Sequence, residues 1–116
     1  MIPTIRVPLL FKLSLAALPQ FVLGGGSLSF NRDIRPILTE NCYACHGPDQ
    51  NHRKADLRLD MREAALQDKA IVPGNADQSG IIQRIETSEA DDLMPPPDSH
   101  KKLTPREKSL LRQWVQ

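Results

Sequence analysis

Cys42-Tyr43-Ala44-Cys45-His46 decides the reading of this sequence, because it holds both cysteines of a 116-residue chain. Two thiols three positions apart at the end of a helix stand about one turn from each other. They can therefore reach neighbouring carbons on one edge of a flat macrocycle. The adjacent histidine is then held beneath the ring, with its imidazole aimed at a central metal. C-x-x-C-H is the attachment pattern of a c-type haem, with two thioethers and a proximal imidazole. Cys42, Cys45 and His46 are thus the candidate cofactor-binding residues, and His46 the candidate iron ligand.

Two other chemistries use the same pair. A thiol–disulfide couple of the thioredoxin kind follows a strand in a βαβ pattern, and no such pattern is visible here. A zinc site would need two further ligands from His46, His52 or His100. No second C-x-x-C and no H-x₃₋₅-H pair supplies them. A zinc or thiol-redox module therefore stands as the alternative outside haem chemistry.

The second axial ligand must come from Met61, Met94, His52 or His100. Met94 precedes Pro95-Pro96-Pro97, a run that stiffens the backbone and restricts the residue before it to extended conformations. A stiff strap presents a thioether with little entropy left to lose. Met94 also lies 48 residues beyond His46 (94 − 46), enough chain to pass around a ring edge. Met61 falls in an expected helix, where filling gaps is the usual work of methionine. His52 and His100 sit among Asn51, Arg53, Lys54, Asp98, Lys101 and Lys102, the composition of solvated loops. Met94 is the expected distal ligand; if it were not bound, the chain would be a haem sensor or small haem enzyme with an open distal site.

Outward from the motif, Phe30, Ile34, Ile37 and Leu38 carry the spacing of an amphipathic helix that runs up to Cys42, with Asp33 as expected N-cap and Pro36 in the first turn. The middle, Gly47 to Leu103, is interrupted by prolines and glycines and holds two short helical patterns. One is Met61–Leu66, with Asp60 and Glu63 as a capping box; the other is Asp77–Ile85, with Ile81, Ile82 and Ile85 on one face. Such a middle makes sense if it wraps something. Thr104-Pro-Arg-Glu107 opens the last helix with a capping box and a proline at its first position. Leu110, Leu111 and Trp114 form its face, expected to pack across Phe30, Ile34, Ile37 and Leu38.

Residues 1–27 contain no acidic residue and two basic ones, Arg6 and Lys12, ahead of the apolar run Leu13–Leu23 and the exit Gly24-Gly-Gly-Ser27. This is the make-up of an export signal or N-terminal membrane anchor, with an apolar run too short to span a bilayer on its own. Residues 28–116 form the expected domain, read as cut short at its C-terminal end, where the last helix stops at Gln116 without a stop signal. Fifteen Lys and Arg against fourteen Asp and Glu give a net charge of +1, which argues against a nucleic-acid or polybasic membrane binder. With only 4% aromatic residues the chain has few large side chains for a core, so a covalently held macrocycle would supply what the side chains do not.

Phe30-Asn-Arg-Asp-Ile-Arg-Pro-Ile-Leu38, Asn41-Cys-Tyr-Ala-Cys-His-Gly-Pro48, Leu57-Arg-Leu-Asp60, Ile71-Val-Pro-Gly74 and Leu93-Met-Pro-Pro-Pro97 together resemble the planctomycete-type cytochrome c domain. The resemblance covers about residues 29–116, in order. It implies an all-α, class I-like cytochrome c fold, N- and C-terminal helices packed together around one covalently attached haem. It also implies Cys42 and Cys45 as attachment points, His46 proximal and Met94 distal. The expected function is one-electron transfer outside the cytoplasm rather than enzymatic catalysis. The expected partners are a redox partner protein or further domains of a larger secreted protein, with membrane association through residues 1–27.

Overall fold

The computed structural model describes Pro3 and residues 25–116; apart from Pro3 and 25–27, the expected export segment lies outside the described residues. The described residues are helical and contain no strand. The chain enters through one π-helical turn, Phe30–Ile34, which passes directly into α1, Arg35–Asn41. Helix α2 covers Arg62–Gln67, α3 covers Gly80–Glu86 and α4 covers Pro105–Val115. Short 3₁₀ turns at Ala76–Gln78 and Pro97–Ser99 lead into α3 and out of the proline run. Among the described residues no helix is long and apolar enough to cross a membrane.

The first helix begins four residues earlier than Asp33 as N-cap would require. Ser29 caps it, its Oγ accepting from the Arg32 N–H, while the Asp33 carboxylate accepts from the Ser29 N–H at 2.8 Å. Asp33 keeps the helix start in place from inside the first turn. The widened π turn comes immediately before Pro36, which has no N–H to continue a regular ladder. Ile34, Ile37 and Leu38 are buried as their spacing requires, but Phe30 is 41% exposed.

The capping box expected for α2 does not form. Met61 occupies the N-cap, with no side-chain cap bond, because Asp60 is instead taken by Arg58 at 2.6 Å. Met61 is exposed and fills no gap. At α4 the capping box is present: the Thr104 hydroxyl accepts from the Glu107 N–H, and the Glu107 carboxylate accepts from the Thr104 N–H.

The core is aliphatic. Ile34, Leu38, Ile82, Ile85 and Leu111 are fully buried, with Val115 and Leu103 beside them. Helix α4 packs against α3 and against the π turn, so the two ends of the domain meet. Leu111 and Val115 face this core; Trp114 lies half-buried at its edge, packed against Phe30 with ring centroids 5.5 Å apart and the planes tilted by 39°. The far end of α4 is tied to the middle of the chain, the Gly74 N–H donating to Val115 O and the Gln116 side chain reaching Gly74 O.

The breaker-rich middle is fastened by hydrogen bonds rather than by long helices. Ser79 is fully buried; its Oγ accepts from the Val72 N–H and donates to Asn75 O, both at 2.8 Å. The N–H groups of Gly80 and Ile81, orphans at the start of a helix, donate to Lys69 O and Ala70 O. These bonds anchor α3 and turn its face of Ile81, Ile82 and Ile85 inward.

Candidate functional site

Helix α1 does not stop cleanly at Asn41. The N–H groups of Cys42 and Tyr43 both reach Leu38 O, and those of Cys45 and His46 both reach Cys42 O. These successive tight turns wind Cys42 and Cys45 about one turn apart with His46 next to them. Gly47 follows in a buried position, where a Cβ would run into the Tyr43 carbonyl. Only glycine lets the backbone leave the motif at that angle.

Two backbone bonds bracket His46. The Lys54 N–H donates to Cys45 O at 2.7 Å, and the Leu59 N–H donates to His46 O at 2.8 Å. The returning loop also places Lys54 O 3.2 Å from His46 Nδ1. A carbonyl only accepts, so Nδ1 carries the proton and Nε2 is left with its lone pair free. An imidazole held in this tautomer by a backbone carbonyl is oriented and made more basic as a metal ligand.

The cysteines differ. Cys45 is exposed, whereas Cys42 is half-buried against the aliphatic core. Burial pushes the Cys42 thiol up to about 11, with Lys101 opposing and Cys45 reinforcing the shift. A nucleophilic thiol of a disulfide exchanger needs the opposite, a depressed value. Among the described residues no three His, Cys, Asp or Glu side chains converge as a metal site would require.

Met94 comes to the same place from the far side of the sequence. Its N–H donates to Arg84 O at 3.0 Å, and the Arg84 side chain pairs with Asp92 at 2.9 Å, tying the start of this segment to the end of α3. The proline run is not one extended strap. The Met94–Pro95 bond is cis, Pro95 is buried, and Pro97 already begins a 3₁₀ turn. The extended course expected of the run is therefore not kept: the chain turns at its start and again at Pro97.

Cys42, Cys45, His46 and Met94 all line one cleft of about 570 Å³, a volume in the range of small-molecule and cofactor sites. Leu57, Leu59, Ala70, Ile81 and Ile85 give it apolar walls, while Lys54, Arg84 and Lys101 stand at its border. Of the other ligand candidates, Met61, His52 and His100 do not line it. His52 is exposed and bonded to Asp49 at 2.7 Å, as a solvated loop residue should be. The four residues singled out in the sequence share this cleft, but the sequence could not point to Lys54, which approaches His46 through its backbone oxygen. Nor could it foresee that Ile81 and Ile85 serve the cleft as well as the core.

Residues 42–98 match the family model described as Planctomycete cytochrome C, a span that begins at Cys42 and includes Cys45, His46 and Met94. Neither the curated proteins nor the solved structures give a significant match.

Proposed function

With residues 42–98 belonging to the planctomycete cytochrome c family, we propose that this chain is a monohaem c-type cytochrome that carries single electrons outside the cytoplasm. The observation that carries this reading is the meeting of Cys42, Cys45, His46 and Met94 on one apolar cleft. These residues fit a covalently held haem: two thiols a turn apart, an imidazole with Nε2 free, and a thioether brought in by a separate segment. When bound, the haem supplies reversible one-electron chemistry at its iron.

The chain's own residues set the conditions for that chemistry. Cys42 and Cys45 anchor the group as thioethers. His46 and Met94 would hold its iron from the protein side, a histidine–methionine pair that would favour the reduced state and leave no room at the metal for substrate. Leu57, Leu59, Ile81 and Ile85 line the cleft with apolar side chains that would exclude water from a bound haem and lower the local dielectric. No nucleophile or general base is called on, consistent with electron transfer rather than catalysis. The electron passes to a redox partner protein or to further domains of a larger secreted chain, with residues 1–27 directing export or holding the domain at a membrane.

The test is a denaturing gel stained for haem, on protein exported from a host with c-type maturation machinery. Haem should remain with the protein band, and should be lost in the Cys42→Ala/Cys45→Ala double variant. In Met94→Ala the haem should stay attached, while the absorption spectrum changes to that of a site lacking its sixth protein ligand and the potential falls. An unaltered Met94→Ala spectrum would favour the open distal site of a sensor or small haem enzyme. A protein band without haem in the wild type would turn attention to zinc or thiol chemistry.

A further inference from the structure

We propose that Arg53 is a positioning residue for His46, acting through the carbonyl of Lys54. The inference rests on the reading of His46 as the proximal ligand.

The Lys54 oxygen that fixes the His46 tautomer lies in an exposed loop whose backbone is tied at Lys54 by its own N–H to Cys45 O at 2.7 Å and by the Leu57 N–H to Lys54 O at 3.1 Å. Residues 48–52 and 54–56 are exposed, and the loop turns through two consecutive left-handed residues, Ala55 (φ 54°) and Asp56 (φ 50°). Neither is a glycine, so this conformation persists only where surrounding contacts enforce it. Hydrophobic burial cannot enforce it here, since the loop contributes no buried apolar side chain until Leu57.

Arg53 is the exception in the loop. Its side chain is only 13% exposed, and its guanidinium joins the two arms. Nε donates to Gly47 O at 3.0 Å and one terminal nitrogen donates to Pro48 O at 3.2 Å, the two carbonyls that directly follow His46. The other terminal nitrogen reaches Asp56 Oδ1 at 3.4 Å, across the left-handed turn. Arg53 thus closes a ring that runs from His46 through Gly47 and Pro48, across the guanidinium, and back through Lys54 O to His46 Nδ1. A planar fork with several fixed donors can hold two successive carbonyls at once; an ammonium of the same charge cannot. With the fork gone, the Lys54 N–H keeps its bond to Cys45 O and Lys54 O its bond from the Leu57 N–H, but the turn is no longer tied to Gly47 and Pro48 and the Lys54 carbonyl can tilt away from His46. A proximal imidazole that loses its acceptor becomes a weaker donor to iron, which disfavours the oxidised state.

The experiment compares wild type, Arg53→Lys and Arg53→Gln, each exported with its haem and checked by haem staining. Reduction potential, thermal melt and the exchange rate of the His46 Nδ1 proton are measured on each. Arg53→Lys keeps the charge and loses the fork: its potential should rise and its Nδ1 proton should exchange faster. Arg53→Gln, with one amide donor left, should also show faster exchange. An unchanged potential and exchange rate in Arg53→Lys would overturn the proposal, even if the melt drops, because Arg53 would then serve folding alone. Loss of haem attachment in both variants would overturn it for the same reason. Absence of haem in the wild type would instead be a failure of the functional reading, seen on the gel before any variant is compared.

Discussion

Cys42 and Cys45 stand one turn apart in different surroundings, and their chemistry should differ accordingly. Cys45 is open to solvent, while burial against the core holds the Cys42 thiol protonated up to about pH 11. Only the thiolate is nucleophilic, so below that value the Cys42 rate should climb about tenfold per pH unit. In haem-free protein, alkylation at neutral pH followed by mass spectrometry should find Cys45 modified first and Cys42 lagging. Equal rates would contradict the burial of Cys42 at the end of α1. Next to this pair, Gly47 has no room for a side chain. Gly47→Ala must displace the Tyr43 carbonyl or the turn itself, an overpacking cost of about 1–3 kcal/mol. A denaturant titration should show that loss; a variant as stable as wild type would mean that the turn can open freely. The motif was legible in the sequence because chemistry dictates its spacing. The Lys54 carbonyl and the Arg53 fork were not, because a backbone acceptor has no residue type and one arginine in a charged loop resembles any other.

At the scale of elements, the two ends of the domain meet through unequal contributions. Leu111 is fully buried where α4 crosses the π turn and α3, whereas Trp114 and Phe30 form a tilted aromatic pair at the rim. Leu111→Ala should therefore cost about 2–5 kcal/mol, the range for a large-to-small change in a closed core. Trp114→Ala should cost less, since much of what it loses is one aromatic pair worth about 0.5–1.5 kcal/mol. The reverse order in denaturant melts would place Trp114 in the core after all. The helix start has its own signature in pH. The Arg32 guanidinium, helped by the Ser29 N–H, lowers the Asp33 carboxyl from 3.8 to about 2. A depressed carboxylate stabilises the fold fully above its unfolded value, and that contribution fades as pH falls through the folded one. Wild type should thus lose stability relative to Asp33→Asn between about pH 4 and pH 2, while a constant difference across that window would count against the assignment. The apolar spacing of α1, α3 and α4 could be read directly, because burial follows periodicity. Caps were less legible where two partners compete. Asp60 satisfies the capping pattern, yet an arginine two residues away takes its carboxylate first.

For the molecule as a whole, the question is what completes its core. Among the described residues no aromatic side chain is buried, and the buried set is made of Ile, Leu, Val and Ala with Gly47, Pro95 and one serine. Beside it lies an apolar-walled cleft of about 570 Å³, enclosed by the end of α1, the returning loop to Leu59, α3 and the Met94 segment. The first three of those elements share the aliphatic core, whereas the Met94 segment is tied to α3 by a backbone hydrogen bond across the cleft mouth. A group bound there stabilises the folded chain and not the unfolded one, and a covalent tether makes that linkage permanent. Small domains with a scant core depend on such a staple. The Cys42→Ala/Cys45→Ala variant, which cannot hold a haem covalently, should therefore melt at a markedly lower temperature than the haem-bearing wild type. Its transition should also be broader, because the Met94 segment and the Gly47–Leu59 loop would no longer close on a common partner. Circular dichroism followed with temperature checks this directly. If the two proteins melt together, the aliphatic core of α1, α3 and α4 is sufficient alone, and the cleft is a site carried by the fold rather than part of what holds it.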